Sequence, residues 1–331
     1  MRNTFLFIHR WLGIVFGVFI SVICLSGAVL IFSNELNNAA NRISKPDDAT
    51  PLTADELIEA VNRWNTDGLT FVAIQMPADD HHVAQAQFAE MGRNTIAVNP
   101  YTGEVLGQSG SAFVGFVKKL HRWLLMPPKD THGGMSVGRI IVGSSAIAMT
   151  FILITGIIIW WPKNRKMLKA RTTVRTDKGF RWFVYDSHVS VGIFAVIFLL
   201  LMSLTGPIFS FGWYRTAATK LAGGDTQEMY MRPNNTPQQE QSSEAQDVNE
   251  QPVQQVKVMQ AGEQGNRPQG KLPVQVIFNR LHTGSIGGWL LRILYFLAAL
   301  IGACLPWSGY YMFVKRQQAK QKSPRQTDQD D

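Results

Sequence analysis

Four stretches of this 331-residue chain limit what it can become. Trp11–Phe32, Ile140–Trp161, Val189–Phe211 and Trp289–Val314 are each mostly apolar. Each holds about 20 or more residues, enough to cross about 30 Å of hydrocarbon at about 1.5 Å per residue. Runs this long and this poor in charge are rarely helices of a soluble core. The expected fold class is therefore a mainly α membrane protein, a four-helix transmembrane bundle carrying a small α+β domain outside the membrane. The first run is too long for the apolar region of a secretory signal. No small-x-small cleavage site follows Ala28, so this run is expected to persist as an anchor.

Basic residues in short segments set the expected orientation. The segment after the second run carries Lys163, Arg165, Lys166, Lys169, Arg171, Arg175, Lys178 and Arg181. The tail carries Lys315, Arg316, Lys320, Lys322 and Arg325, and the N-terminus carries Arg2 and Arg10. All three belong on the cytoplasmic side, so both termini are expected there. The net charge of +8 then needs no nucleic acid to explain it. The expected order is span one in 1–34, an outer domain with an amphipathic segment in 35–134, and span two in 135–162. A basic cytoplasmic loop (163–183), span three (184–213), a second outer segment (214–287), span four (288–315) and a cytoplasmic tail (316–331) follow.

The two outer segments differ in kind. Thr53 and Glu56 form a capping box ahead of Leu57, Ile58, Val61 and Trp64, which predicts a helix. Alternating stretches at Thr70–Met76, Val83–Phe88, Asn94–Val98 and Glu104–Gly107 predict strands, with a turn at Asn99–Gly103. Residues 220–270 are instead rich in Gln, Asn, Glu, Ser, Gly and Pro and predict a largely flexible segment. Cys24 and Cys304 lie within spans and read as buried apolar residues.

Histidine is distributed unevenly. His9, His121 with His132, His188 and His282 precede the four runs in turn, and only His81-His82 lie elsewhere. That dipeptide reads as a solvated turn after Asp79-Asp80, with a surface metal site as the alternative. A weak repeat links the others. His9-Arg10-Trp11-Leu12 recurs as His121-Arg122-Trp123-Leu124. His9 is followed by Gly13 and Ser26-Gly27, and His188 by Gly192 and Thr205-Gly206 at the same offsets. Run two ends in Thr155-Gly156 and run four contains Ser308-Gly309. Runs one and two thus resemble runs three and four, as parallel repeats about an axis along the membrane normal. Eighteen residues are about five turns, so Gly27 shares a helix face with His9, roughly 27 Å further along, as Gly206 does with His188. Gly13, Gly27, Gly192 and Gly206 leave room on that face for a flat macrocycle, or simply for close helix packing.

In the expected topology His9 and His188 meet near the cytoplasmic face. His282 meets His121, or alternatively His132, near the outer face. Paired neutral imidazoles suit bis-histidine ligation of haem iron, here two haem groups of the b type, with the haem iron held through His9, His188, His121 and His282. Arg10, Arg122, Arg181 and Arg292 flank these positions. They are candidates for pairing with propionates or for snorkelling to headgroups. The tryptophans at the span ends read as belt residues. No GxGxxG, Walker A or HExxH motif points to another enzyme class.

Several motifs together resemble the PepSY-associated transmembrane family. They are His9-Arg10-Trp11-Leu12-Gly13, Leu120-His121-Arg122, Thr155–Pro162, Asp186-Ser187-His188 and Leu281-His282-Thr283-Gly284. Val98–Gly107 is similar to the close of a PepSY domain. The resemblance implies an iron-regulated inner-membrane protein of Gram-negative bacteria, similar to dihaem ferric-siderophore reductases. It implies haem at these histidines but does not establish the substrate. The expected substrate is a ferric siderophore or other Fe(III) chelate, and the expected donor for a chain without a flavin or nicotinamide site is quinol or a cytoplasmic reductase. The alternatives are a non-enzymatic PepSY-domain anchor that binds a periplasmic partner, and a metal transporter. The lack of carboxylates within the four apolar runs weakens the latter.

Overall fold

The computed structural model describes residues 2–77, 79–92, 94–127, 135–224, 256–259 and 274–322. In chain order its elements begin with α1 (Arg2–Leu30), α2 (Ser33–Ala40) and α3 (Ala54–Trp64). The strands β1 (Phe71–Gln75), β2 (Ala84–Phe88), β3 (Thr95–Val98) and β4 (Val105–Gln108) follow. Next come α4 (Ala112–Trp123), α5 (Val137–Trp160), α6 (Arg165–Thr172), α7 (Phe180–Ser210) and α8 (Gly212–Leu221). A short strand β5 (Lys257–Met259), then α9 (Val274–Thr283) and α10 (Gly288–Lys322) complete the described chain. Two compact units result, one formed mainly by the long helices and one by Ser33–Gly115 with β5.

In the helical unit α1, α5, α7 and α10 are each long and apolar enough to span a membrane. The chain is a multi-pass membrane protein. Each spanning helix packs on two others, α1 and α7 both lying against α5 and α10. Ile20, Cys24, Met149, Leu153, Ala195, Leu199, Ala298 and Ala303 fill the centre. Outward faces stay apolar, as at Phe151, Phe194 and Ile197, which suits contact with lipid. Association inside a bilayer relies on close packing, because lipid is as apolar as leucine. Glycines provide it here. A Cβ on Gly143 would stand 2.5 Å from the Phe211 ring, and one on Gly302 would stand 2.8 Å from Leu199.

Helix ends are tied down by side chains. Ser136 caps α5 by accepting from the Arg139 N–H. At the other end Arg171 donates to the carbonyls of Ile159 and Trp160. The Arg175 guanidinium makes a two-pronged pair with Asp186 at 2.7 and 2.8 Å, and lies 4.4 Å from the Trp182 ring centroid. This pair fixes the basic loop to the start of α7. α1 and α7 both begin well before their apolar runs, at Arg2 and Phe180. His9 and His188 therefore sit within these helices.

In the smaller unit the capping box of Thr53 and Glu56 opens α3. Leu57 and Val61 of that helix pack with Phe71, Ile74, Phe88, Ile96 and Val98 of the sheet. The order is β4-β3-β2-β1-β5, antiparallel throughout β1–β4. β5 pairs parallel to β1, with Ile74 opposite Val258. This strand lies inside the stretch expected to be flexible. The β1 edge supplies the order that local composition does not, and Val256 packs on the core. The rest of 225–273 lies outside the described residues. His82 donates to Asp79 Oδ1 at 2.6 Å, as does the His81 N–H at 2.8 Å, so the His81-His82 dipeptide closes a turn on Asp79.

The packing yields a stability test. Gly143→Ala is expected to cost about 1–3 kcal/mol by overpacking α5 against Phe211. Gly115→Ala, on α4 with nothing within 4 Å of the added carbon, is expected to be neutral or slightly stabilising. Thermal midpoints of the purified variants in detergent check both.

Candidate functional site

Among the described residues, the four histidines outside the small unit form two pairs, one at each end of the bundle. The rings of His9 (α1) and His188 (α7) have centroids 6.3 Å apart with planes at 84°. The rings of His121 (α4) and His282 (α9) have the same 6.3 Å separation, with planes at 54°. The other candidate for this end, His132, lies outside the described residues. Each pair joins one half of the sequence repeat to the other.

Every one of these imidazoles is held in the same way. His9 Nδ1 donates to the Ile152 carbonyl at 2.9 Å and lies 3.3 Å from Thr155 Oγ1. His121 Nδ1 donates to the Ile23 carbonyl at 2.9 Å and lies 3.1 Å from Ser26 Oγ. His188 Nδ1 meets Ser308 Oγ at 2.7 Å, with the Leu305 carbonyl beside it. His282 Nδ1 meets Thr205 Oγ1 at 2.9 Å, with the Met202 carbonyl beside it. In each case a Ser or Thr hydroxyl and the carbonyl three residues before it form one acceptor unit.

The hydroxyls settle which ring nitrogen carries the proton. Each donates its only hydrogen to a carbonyl of its own helix: Ser26 to Val22, Thr155 to Phe151, Thr205 to Leu201, Ser308 to Leu305. Its oxygen can then only accept from Nδ1. The rings are thereby Nδ1–H tautomers, and Nε2 keeps its lone pair. Burial lowers His282 to about 4, helped by the neighbouring His121, and burial also lowers His121. Neutral imidazoles with an unprotonated Nε2 have the chemistry of metal ligands.

The glycine after the hydroxyl makes room for the ring in two of the four cases. A Cβ on Gly27 would stand 3.0 Å from His121 Cε1 and one on Gly156 3.3 Å from His9 Cε1, whereas one on Gly206 would stand 3.7 Å from His282 Cε1, an ordinary contact. Gly27 thus serves the histidine at the far end from His9, and Gly206 lies beside the one at the far end from His188. Gly309 has nothing within 4 Å, nor has Gly13, one turn after His9, and at Gly192 only the Leu305 side chain is near.

The residues present fit a haem iron in their chemistry, since each couple brings together two neutral imidazoles that would hold it. Contacting aromatic rings alone span about 4.5–7 Å. Both couples share the same separation and the same Nδ1 anchoring. Open space at Gly13 leaves room beside the His9 pair for a planar ring. Among the described residues, buried side-chain donors without a partner include Arg10 Nε and Trp160 Nε1. Both follow closely on His9 or its contact Gly156, and a carboxylate would satisfy either.

The remaining arginines behave differently. Arg292 donates to the Ile31 carbonyl and lies over Phe32 and Trp289. Arg122 is exposed and lies 5.2 Å from the Trp123 ring centroid, and Arg181 is exposed at the start of α7. Sequence reasoning placed Ser26, Thr155, Thr205 and Ser308 in the repeat without giving them a task. The signal was present: each spanning helix has one hydroxyl–glycine dipeptide near the end where a histidine from the same half arrives.

The sequence profile of the PepSY-associated TM region matches residues 6–316, and the chain belongs to that family. Among curated proteins none matches it significantly.

The tautomer assignment is directly measurable. Ring-nitrogen NMR of histidine-labelled, cofactor-free protein is expected to show Nδ1–H and unprotonated Nε2 for His9, His121, His188 and His282, identified by single His→Gln replacements. Nε2–H forms at these positions would contradict the anchoring scheme.

Proposed function

We propose that this member of the PepSY-associated transmembrane family is a two-haem electron conduit. It would reduce a ferric siderophore or another Fe(III) chelate at the outer face of the bacterial inner membrane. The observation that carries the proposal is the repeated pair: two histidine couples at 6.3 Å, one at each end of a membrane-spanning bundle. Bound between each couple, haem would supply a one-electron Fe(III)/Fe(II) exchange with no open coordination position.

The chain's own residues do the rest. The carbonyl–hydroxyl anchors fix each ring's orientation and raise the basicity of Nε2. The apolar centre around Cys24, Leu153, Leu199 and Ala298 keeps water out of the interval between the couples. Lys166, Lys169, Arg171 and Arg175 lie at the His9–His188 end, and the positive-inside rule puts that end in the cytoplasm. Electrons would enter there from membrane quinol or a cytoplasmic reductase, one for each Fe(III) reduced. Fe(II) attracts hard oxygen chelators less strongly, so the reduced iron is released.

His9→Ala and His188→Ala are each expected to leave about half the wild-type haem by pyridine haemochrome, since one of two bis-imidazole sites is broken. His121→Ala and His282→Ala are expected to remove the other half. In proteoliposomes with reductant confined to the cytoplasmic-equivalent side, any of the four should stop reduction of a ferric chelate on the opposite side. Full haem in all four variants, or wild-type transfer after loss of one haem, would refute the conduit.

A further inference from the structure

The internal repeat of the bundle supplies its own control. Aligning Thr155-Gly156 with Ser308-Gly309 sets Arg139 opposite Arg292, each 16 residues before its hydroxyl. Both arginines hold the end of an outward-going helix from the other half. Arg292 donates to the Ile31 carbonyl after α1, and Arg139 donates to the Phe209 carbonyl of α7 at 2.7 Å. Arginine at a helix C-terminus explains that much, because the last carbonyls lack partners and carry the negative end of the dipole.

The two corners then diverge. Arg292 lies over aromatic rings, 5.4 Å from the Phe32 centroid and 5.3 Å from that of Trp289. Arg139 instead meets a second guanidinium. Arg215 of α8 donates to the Ile208 carbonyl at 3.2 Å, so two arginines grip adjacent carbonyls and their charges oppose each other. With α1 and α7 aligned on His9 and His188, the counterpart of Arg215 is Leu36. One arginine therefore suffices to cap this type of corner, and capping does not account for the second.

Among the described residues neither Arg139 nor Arg215 has a carboxylate partner. Each uses one N–H on the main chain and keeps the rest of its fork, and both side chains are partly exposed. A bound oxyanion would turn this repulsion into attraction, and the guanidinium fork matches a carboxylate. The corner also adjoins the second histidine couple. The Phe209 ring packs edge-on against His282 with centroids 5.4 Å apart.

We propose that the Arg139–Arg215 corner is an oxyanion site that takes a carboxylate beside the His121–His282 couple. Two sources have this chemistry: a propionate of a tetrapyrrole held by that couple, or a free carboxylate-bearing anion such as an anionic iron chelate. Only the first source rests on the haem proposal. The corner itself stands on the arginine geometry.

Citrate is the probe. Titration calorimetry with the full-length protein at low salt is expected to show binding that Arg215→Leu, a copy of the Leu36 corner, weakens about tenfold. Arg139→Gln should weaken it similarly, Arg215→Lys should restore it in part, and Arg292→Gln should leave it unchanged. Haem content and visible spectrum are read on the same preparations, and thermal midpoints show which variants are folded. Should Arg215→Leu unfold the chain, Arg215→Gln takes its place. Weaker citrate binding with unaltered haem assigns the corner to a free anion. Altered haem content or spectrum, with no citrate effect, assigns it to a propionate. If the arginine variants change neither, the proposal is overturned. Protein that lacks haem yet binds citrate in this arginine-dependent way would refute the conduit and leave the oxyanion site standing.

Discussion

An imidazole inside a membrane-spanning bundle has no water to satisfy it, and the arrangement of this bundle follows from that constraint. One nitrogen of each ring must find an acceptor in the protein. A helical carbonyl is already engaged with its own N–H four residues on, so it offers only a second lone pair. The hydroxyl at Ser26, Thr155, Thr205 or Ser308 completes the acceptor by giving its proton to the helix and turning its oxygen to the ring. The glycine that follows Ser26 and Thr155 removes the one carbon that would hold the ring away.

The anchors are exchanged within halves and the histidine couples are formed between halves. α1 carries His9 and anchors His121, while α5 anchors His9. α7 carries His188 and anchors His282, while α10 anchors His188. Each half thus presents two oriented rings without help from the other. The couples His9–His188 and His121–His282 arise only when the halves pack. Any ion held within a couple would tie the two halves together at both ends, and arginines 139 and 292 make a second set of ties near one of them.

The spans were legible because their length and lack of charge admit few alternatives. The capping box of Thr53 and Glu56 was legible because it is local. The same holds for the strands between Phe71 and Gln108, whose alternation and turn residues lie close together in sequence. The histidine couples were legible in outline from topology: spans that alternate in direction leave His9 and His188 at one end, and His282 with His121 or His132 at the other. The anchors were not, since His9 finds Thr155 across 146 residues and His188 finds Ser308 across 120. Spacing shows that such dipeptides recur, but only packing shows which ring each one meets. β5 was hidden for a related reason, because its order comes from the β1 edge and not from its own residues.

The central claim is that the two histidine couples hold iron in the same manner. Visible and electron paramagnetic resonance spectra of the intact purified protein, with haem and protein quantified together, test it most directly. The account predicts two haems per chain, both low-spin with two imidazole ligands. Folded protein without haem, or haem that is high-spin or limited to one per chain, would contradict it.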